Sequence, residues 1–330
     1  MEWVIRSSEK AGLKRLYFLA RDGWLWMRAA EYVRQEVGAE LEFRYLCVSR
    51  KTLYGGSAEC LAYLRQEGLY EETPYGIVDS GWIGTTKKSL ESLIGKPIPG
   101  FYFGIYELPQ GAEENSYHCF YFRPYRDIRR KAQFSICLFE TVCSAPEGMT
   151  IGYETACSLP EGMTVGYGKN CNYVRPVCGE DNPNSVCIRA FARVMERYLF
   201  HVGKRGIDKE RNESKEKNRI RSVRNVLSLL MGRPTKEEAE AFGTMQFDEG
   251  VEGDHLRDLA ILWSPEEVKA LRLPQRIRMK LQGKSAFRIS GWQEGSIVRS
   301  VEGRGRNCAL REERIYKGAA QFYKALRRMV

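Results

Sequence analysis

The chain has 330 residues, 43% hydrophobic and 28% charged, which is ordinary for a soluble globular protein with a sizeable core in one or two domains. No run of about 18 apolar residues occurs, so no transmembrane segment is expected. The start, Met1-Glu2-Trp3-Val4-Ile5-Arg6, lacks the basic region and apolar stretch of a signal peptide, and a cytoplasmic protein is the expectation.

The first ~108 residues alternate between two kinds of segment. Leu16–Ala20 reads as a strand, followed by a helix from Trp24 to Val37 with Leu25, Ala29, Tyr32 and Val33 on one face. Phe43–Val48 reads as a second strand ending at Ser49-Arg50-Lys51, and a helix capped by Ser57 is expected to run to Gln66. Ile77-Val78 lies in a third strand, Thr85–Ile94 in the helix after it, and Phe101–Tyr106 in a fourth strand. Such alternation argues for βαβ units and an α/β, Rossmann-like, mainly parallel sheet with helices on both faces.

The middle differs. ETVCSAPEGMTIGY at 140–153 is followed directly by ETACSLPEGMTVGY at 154–167, a tandem duplication of fourteen residues with eleven identities. Each copy carries Pro-Glu-Gly, a turn signal, before a short β-prone stretch. Two copies are too few for a solenoid, so one copy is expected to be looped out or added to a sheet edge. From Ser185 the chain reads as helical. Val186–Phe200 is amphipathic and Arg219–Met231 follows. Thr235 to Glu238 forms a capping box, Pro265 sits at a first helical position, and 310–328 forms a final basic helix. The expected organisation is an α/β anion-binding domain at 1–135, a β-rich connector at 136–184 and a mostly helical part at 185–330.

The net charge of +10 concentrates in the last third and at Arg123 to Lys131. It suits an anionic partner. The run 204–224, however, interleaves Asp208, Glu210, Glu213 and Glu216 with its cations, as a solvated face does, which argues against nucleic acid. The ten cysteines include no CxxC pair and read as buried free thiols. His118, His201 and His255 form no metal-ligand pair or catalytic arrangement.

Chemistry is expected where the strands end, because open α/β sheets bind ligands at the carboxyl ends of their strands. In Asp79-Ser80-Gly81-Trp82-Ile83-Gly84-Thr85-Thr86, Gly81 and Gly84 permit positive φ and close approach of a ligand. Ser80, Thr85 and Thr86 supply hydroxyls, the helix start supplies N–H groups for a phosphate, and Lys87 and Lys88 add charge. The alternative is an ordinary capped strand-to-helix turn. At Arg21-Asp22-Gly23, Arg21 can clamp a phosphate and Asp22 can bind metal or accept a proton, or Asp22 can simply cap the helix. Ser49 and Arg50 would face the same crevice if the three strands are neighbours.

Three stretches together, Phe18 to Gly23, Tyr45 to Arg50 and Val78 to Thr85, followed by Gly100 to Gly104, resemble a bacterial family. Its members are the haloacid dehalogenase (HAD)-like predicted hydrolases of surface-polysaccharide gene clusters. Ser144 to Gly148 and the stretch from Gly232 to Phe247 are similar to that family as well. The resemblance implies a role in surface-glycan metabolism. Such proteins begin with a HAD domain whose Asp-x-Asp motif supplies nucleophile and acid, and no Asp-x-Asp occurs here, so the chain is similar to the region downstream of that domain. The order of strands and the Val78 to Thr86 loop are also similar to type I phosphoribosyltransferases, with Ser80 in place of the second acid and a loop one residue short.

These readings converge on a phosphorylated sugar or nucleotide-like ligand. Asp22 and Asp79 are the candidate catalytic residues and would bind Mg2+ or ligand hydroxyls. Arg21, Gly23, Ser49, Arg50, Ser80, Gly81, Gly84, Thr85 and Thr86 would hold the ligand. Two rivals remain: a non-catalytic interaction module serving a protein partner, such as a glycosyltransferase or a separate HAD subunit, and a HAD-like phosphatase.

Overall fold

The structure, a computed structural model, describes residues 1–144, 164–170, 173–178, 183–203, 213–248, 256–282 and 290–327. Its contacts divide the chain into two compact units, one of Met1–Phe120 with Val142–Arg211 and one of Tyr121–Thr141 with Asn212–Val330. The division follows spatial contact and departs from the sequence boundaries expected at 135/136 and 184/185.

The first unit opens with α1 (Glu2–Lys10), β1 (Arg15–Leu19), α2 (Gly23–Val37) and β2 (Glu42–Leu46). Next come α3 (Arg50–Leu53), α4 (Ala58–Gln66), β3 (Tyr75–Trp82), α5 (Thr85–Ile94), β4 (Gly100–Ile105) and β5 (Tyr117–Phe122). The five strands form one parallel sheet in the order β2-β1-β3-β4-β5. Ring contacts Phe101–His118 and Phe103–Phe120 advance together along β4 and β5, as parallel neighbours require. This is the doubly wound order whose direction reverses between β1 and β3.

Apolar strand residues alternate between two helical layers. Leu16, Phe18, Phe43, Val78 and Phe101 pack on α1 and α2 through Val4, Ile5, Met27, Ala30 and Val33. Tyr17, Leu19, Leu46 and Ile77 face the opposite layer, with Leu53, Cys60, Leu64 and Leu90. Each such fully buried side chain contributes roughly 1.5–3 kcal/mol. β1 is buried along its whole length, the mark of a central strand covered on both faces.

At the start of β1 the buried Arg15 is fully met. Its guanidinium donates to Glu42 at 2.5 Å, Glu71 at 2.7 Å and the Tyr17 hydroxyl at 3.2 Å. These partners raise its pKa although burial opposes them. Glu42 is held low in turn, because the bonds from Arg15 and Arg44 outweigh its own desolvation.

The chain continues with α6 (Ile128–Lys131) and α7 (Ile136–Cys143), and then with β6 (Thr164–Asn170) and β7 (Tyr173–Cys178), which pair antiparallel as a two-stranded sheet of their own. The close of the second repeat copy is therefore a strand, while Glu140–Cys143 of the first copy is helical. Residues 145–163 lie outside the described residues. The hairpin is fixed to the first unit. Ser49 Oγ donates to the Thr164 carbonyl at 2.6 Å, Gln66 exchanges two bonds with Val174, and Tyr167 stacks on Tyr63 at 4.7 Å. α8 (Ser185–Gly203) lies along α2, where Ala192 packs on Trp24 and Arg28 pairs with Glu196.

The second unit's later elements are α9 (Glu213–Leu230), α10 (Lys236–Gly243), the short pair β8 (Gln246–Asp248) and β9 (Leu256–Asp258), α11 (Pro265–Ala270), α12 (Leu273–Leu281), α13 (Gln293–Ser300) and α14 (Arg304–Leu326). The capping boxes expected at Thr235 and Ser264 are formed. Trp263, Leu271, Ile297 and Leu310 build the core. Among the described cysteines Cys47, Cys60 and Cys143 are buried, but Cys187 and Cys308 are exposed, against the expectation of buried thiols. No helix among the described residues is long and apolar enough to cross a membrane.

Candidate functional site

β1 pairs with β3 only as far as Phe18↔Val78. There β1 turns away toward α2, while β3 runs on through Asp79, Ser80, Gly81 and Trp82, paired with β4 alone. The sequence reading placed Asp79-Ser80-Gly81 in a turn, whereas they are strand residues. The overhang leaves one edge of β3 beside the start of α2, at the reversal point of the sheet. As the sequence reading required, β2, β1 and β3 are neighbours.

Asp22 occupies the cap position of α2, yet its side chain makes no capping bond. It keeps part of its surface open. Burial pushes its carboxyl above the usual carboxylate range, opposed by the Arg21 charge and by Ser80. Ser80 is 1% exposed and its hydroxyl makes no well-formed hydrogen bond, although it lies near enough to Asp22 to favour the carboxylate. A buried hydroxyl left in this state costs about 1–3 kcal/mol.

Alternation along β3 sends Asp79 to the other face. Its register partner is Tyr102, whose buried hydroxyl likewise has no hydrogen-bond partner. Burial, reinforced by the Asp79 charge, pushes the Tyr102 phenol well up. Tyr102 was not legible as a site residue, because only the β3–β4 register brings it to Asp79. On this face α5 begins with Gly84 at φ +73° and without a side-chain cap, so the first-turn N–H groups beside the half-buried Thr85 and Thr86 are not met by a capping side chain.

Several expected ligand contacts are structural instead. Ser49 closes a capping box with Thr52 and donates to Thr164, so its hydroxyl is committed. Gly23 is small because a Cβ would come within 2.8 Å of the Phe18 backbone. At Gly81, φ is +129° and a Cβ would lie 1.9 Å from the Gly104 carbonyl oxygen, while one on Gly84 would meet the Tyr117 ring at 2.5 Å. Protein neighbours, rather than a ligand, impose these glycines. Lys87 is buried against Glu91 and Ser116, both at 2.7 Å, and sits 4.0 Å from the Tyr117 ring centre. Lys88 bonds the Gln110 carbonyl. Both ammonium groups thus have protein partners. Arg21 and Arg50 are exposed, and the Arg21 carbonyl accepts from Tyr45 at 3.4 Å.

The structure thus brings Asp22, Arg21 and Ser80 together on one face and Asp79, Tyr102 and the start of α5 on the other. Among the described residues no three His, Cys, Asp or Glu side chains gather as a metal cage. Two separate carboxylates fit a cation such as Mg2+ only in the manner in which it keeps its waters and a ligand's phosphate completes the shell. On the first face Asp22 can accept hydrogen bonds from hydroxyls or hold a cation, and on the second the start of α5 can receive an anion. No protein-family model matches the sequence, and no curated protein is significantly similar to it.

Proposed function

We propose that the first unit binds a phosphorylated sugar or nucleotide-like ligand across the β1/β3 reversal point. The observation that carries this reading is the pairing of an underneutralised Asp22 with the buried, unbonded Ser80 hydroxyl at the overhang of β3. Asp22 and Asp79 would accept from sugar hydroxyls or hold Mg2+, which when bound would neutralise the phosphate. The start of α5 at Gly84, Thr85 and Thr86 would take the phosphate, and Arg21 and Arg50 would draw it in. A place in bacterial surface-glycan metabolism follows from the family resemblance and forms part of the same proposal.

Binding is favoured over phosphate hydrolysis by Trp24. A HAD-type pair would need its second carboxylate there, and the position holds a buried indole under α8. The test is thermal shift with sugar phosphates and nucleoside diphosphates, with and without magnesium. Stabilisation of the wild type that disappears in Asp22→Asn is expected. No shift with any of them, or an equal shift in the variant, rejects the proposal. Release of phosphate from an aryl phosphate, lost in Asp22→Asn, would make the protein a phosphatase instead.

A further inference from the structure

We propose that the outer face of α14 docks on an anionic lipid surface, as a peripheral contact that lies on the membrane without spanning it. Ile315, Phe322, Tyr323 and Leu326 are 49%, 54%, 60% and 44% exposed. They span the last three turns of the helix, about 16 Å at 1.5 Å per residue. An apolar strip of this length left in water marks an interaction surface.

The charges of α14 are sorted by exposure, and at about 3.6 residues per turn Arg304 and Arg311 fall on the strip's side of the helix. Both acids of the helix turn inward: Glu313 is buried against Arg276, and Glu312 bonds the Leu273 N–H and Arg272. The exposed positions carry Arg304, Arg311, Lys324 and Arg327 and no acid. α6 packs against α14 in the same unit and brings exposed Arg126 and Arg129, from a basic stretch about 180 residues away in sequence. The occupant must therefore be anionic and must also bury aliphatic and aromatic side chains.

A lipid headgroup layer meets both demands. Cations reach the phosphates while their stems and the apolar strip enter the interface. A second copy of the helix would set these cations against each other, and a nucleic acid would leave Ile315 and Leu326 in water.

The full chain is sedimented with vesicles of phosphatidylcholine alone and with vesicles in which part of it is replaced by phosphatidylglycerol. Binding to the second kind alone is expected, weakened about tenfold or more by high salt. Arg304→Glu with Arg311→Glu, and separately Phe322→Ser with Leu326→Ser, should each lower partitioning about tenfold or more while keeping the wild-type thermal midpoint. Equal binding to both vesicles, or to neither, overturns the proposal. So does wild-type binding by the Phe322/Leu326 variant, which would assign the face to a purely charged partner. A fall in its thermal midpoint would show that the protein itself covers the strip, and a dimer lost in that variant would assign it to a second copy.

Discussion

The two ends of β1, a strand of five residues, treat a buried charge in opposite ways. At the first residue, Arg15 has carboxylates at 2.5 and 2.7 Å and a phenol besides. Past the last residue, Asp22 has one arginine's charge and a hydroxyl that does not bond it well. The fold can neutralise a buried charge where it serves only to close the sheet. At the carboxyl end it does not, and that asymmetry within one strand is the physical argument for a site there.

The largest expected effect tests what keeps that end open. Gly81→Ala would drive a Cβ into the Gly104 carbonyl at an unfavourable φ, and should destabilise the unit by about 3 kcal/mol or more, read from urea unfolding. A neutral result would mean that β3 does not hold its overhang by this close pairing. Arg15→Met should cost about 2 kcal/mol, since its carboxylate partners are half-exposed and can rehydrate. Asp22→Asn should go the other way and gain about 1 kcal/mol while losing the ligand, the usual exchange of stability for function. If it cost stability instead, Asp22 would be as structural as Arg15 and the contrast would fail.

The two ends should also titrate with opposite sign. Asp22 has its pKa raised above 3.8, so the native state holds its proton more tightly than the unfolded chain. Its contribution is present below that value and is lost as pH rises. Glu42 has its pKa lowered below 4.5, so its contribution is present above that value and is lost as pH falls. Unfolding midpoints measured across the acid range should therefore show Asp22→Asn removing a loss on the alkaline side and Arg15→Met reducing one on the acid side, where Arg44 still pairs with Glu42.

The sequence disclosed the helices and strands of the sheet because each strand is an apolar run and each helix has its own period. Thr85–Ile94 and the Ser57 cap are as expected. It concealed the length of β3, since Asp79-Ser80-Gly81 has the composition of a turn and is held extended only by β4. β5 and α1 were missed as well. At the site, Asp22 and Ser80 were legible from their place after apolar runs. Ser49 misled because its competitor, Thr164, is 115 residues away. Lys87 misled because a helix-start lysine resembles a phosphate ligand until Ser116 and Tyr117 are seen to enclose it. Long-range partners decide such cases, and no local pattern records them.

The hairpin latch gives the repeat a history that can be run backwards. Glu140–Cys143 is helical from the first copy, and Thr164 to Tyr167, from the second, supplies the strand that grips α3 and α4. Excising residues 145–158 would splice the two copies into a single ancestral-length unit, ETVCSLPEGMTVGY, and would remove no residue whose contacts are described. Shortening a connection changes its closure entropy by only about 0.6 kcal/mol per halving, and going from nineteen residues to five is nearly two halvings, so the excised protein should unfold within about 1.2 kcal/mol of its parent. A stable excised protein would make the duplication a spare, a fastening copied without need of a second eyelet.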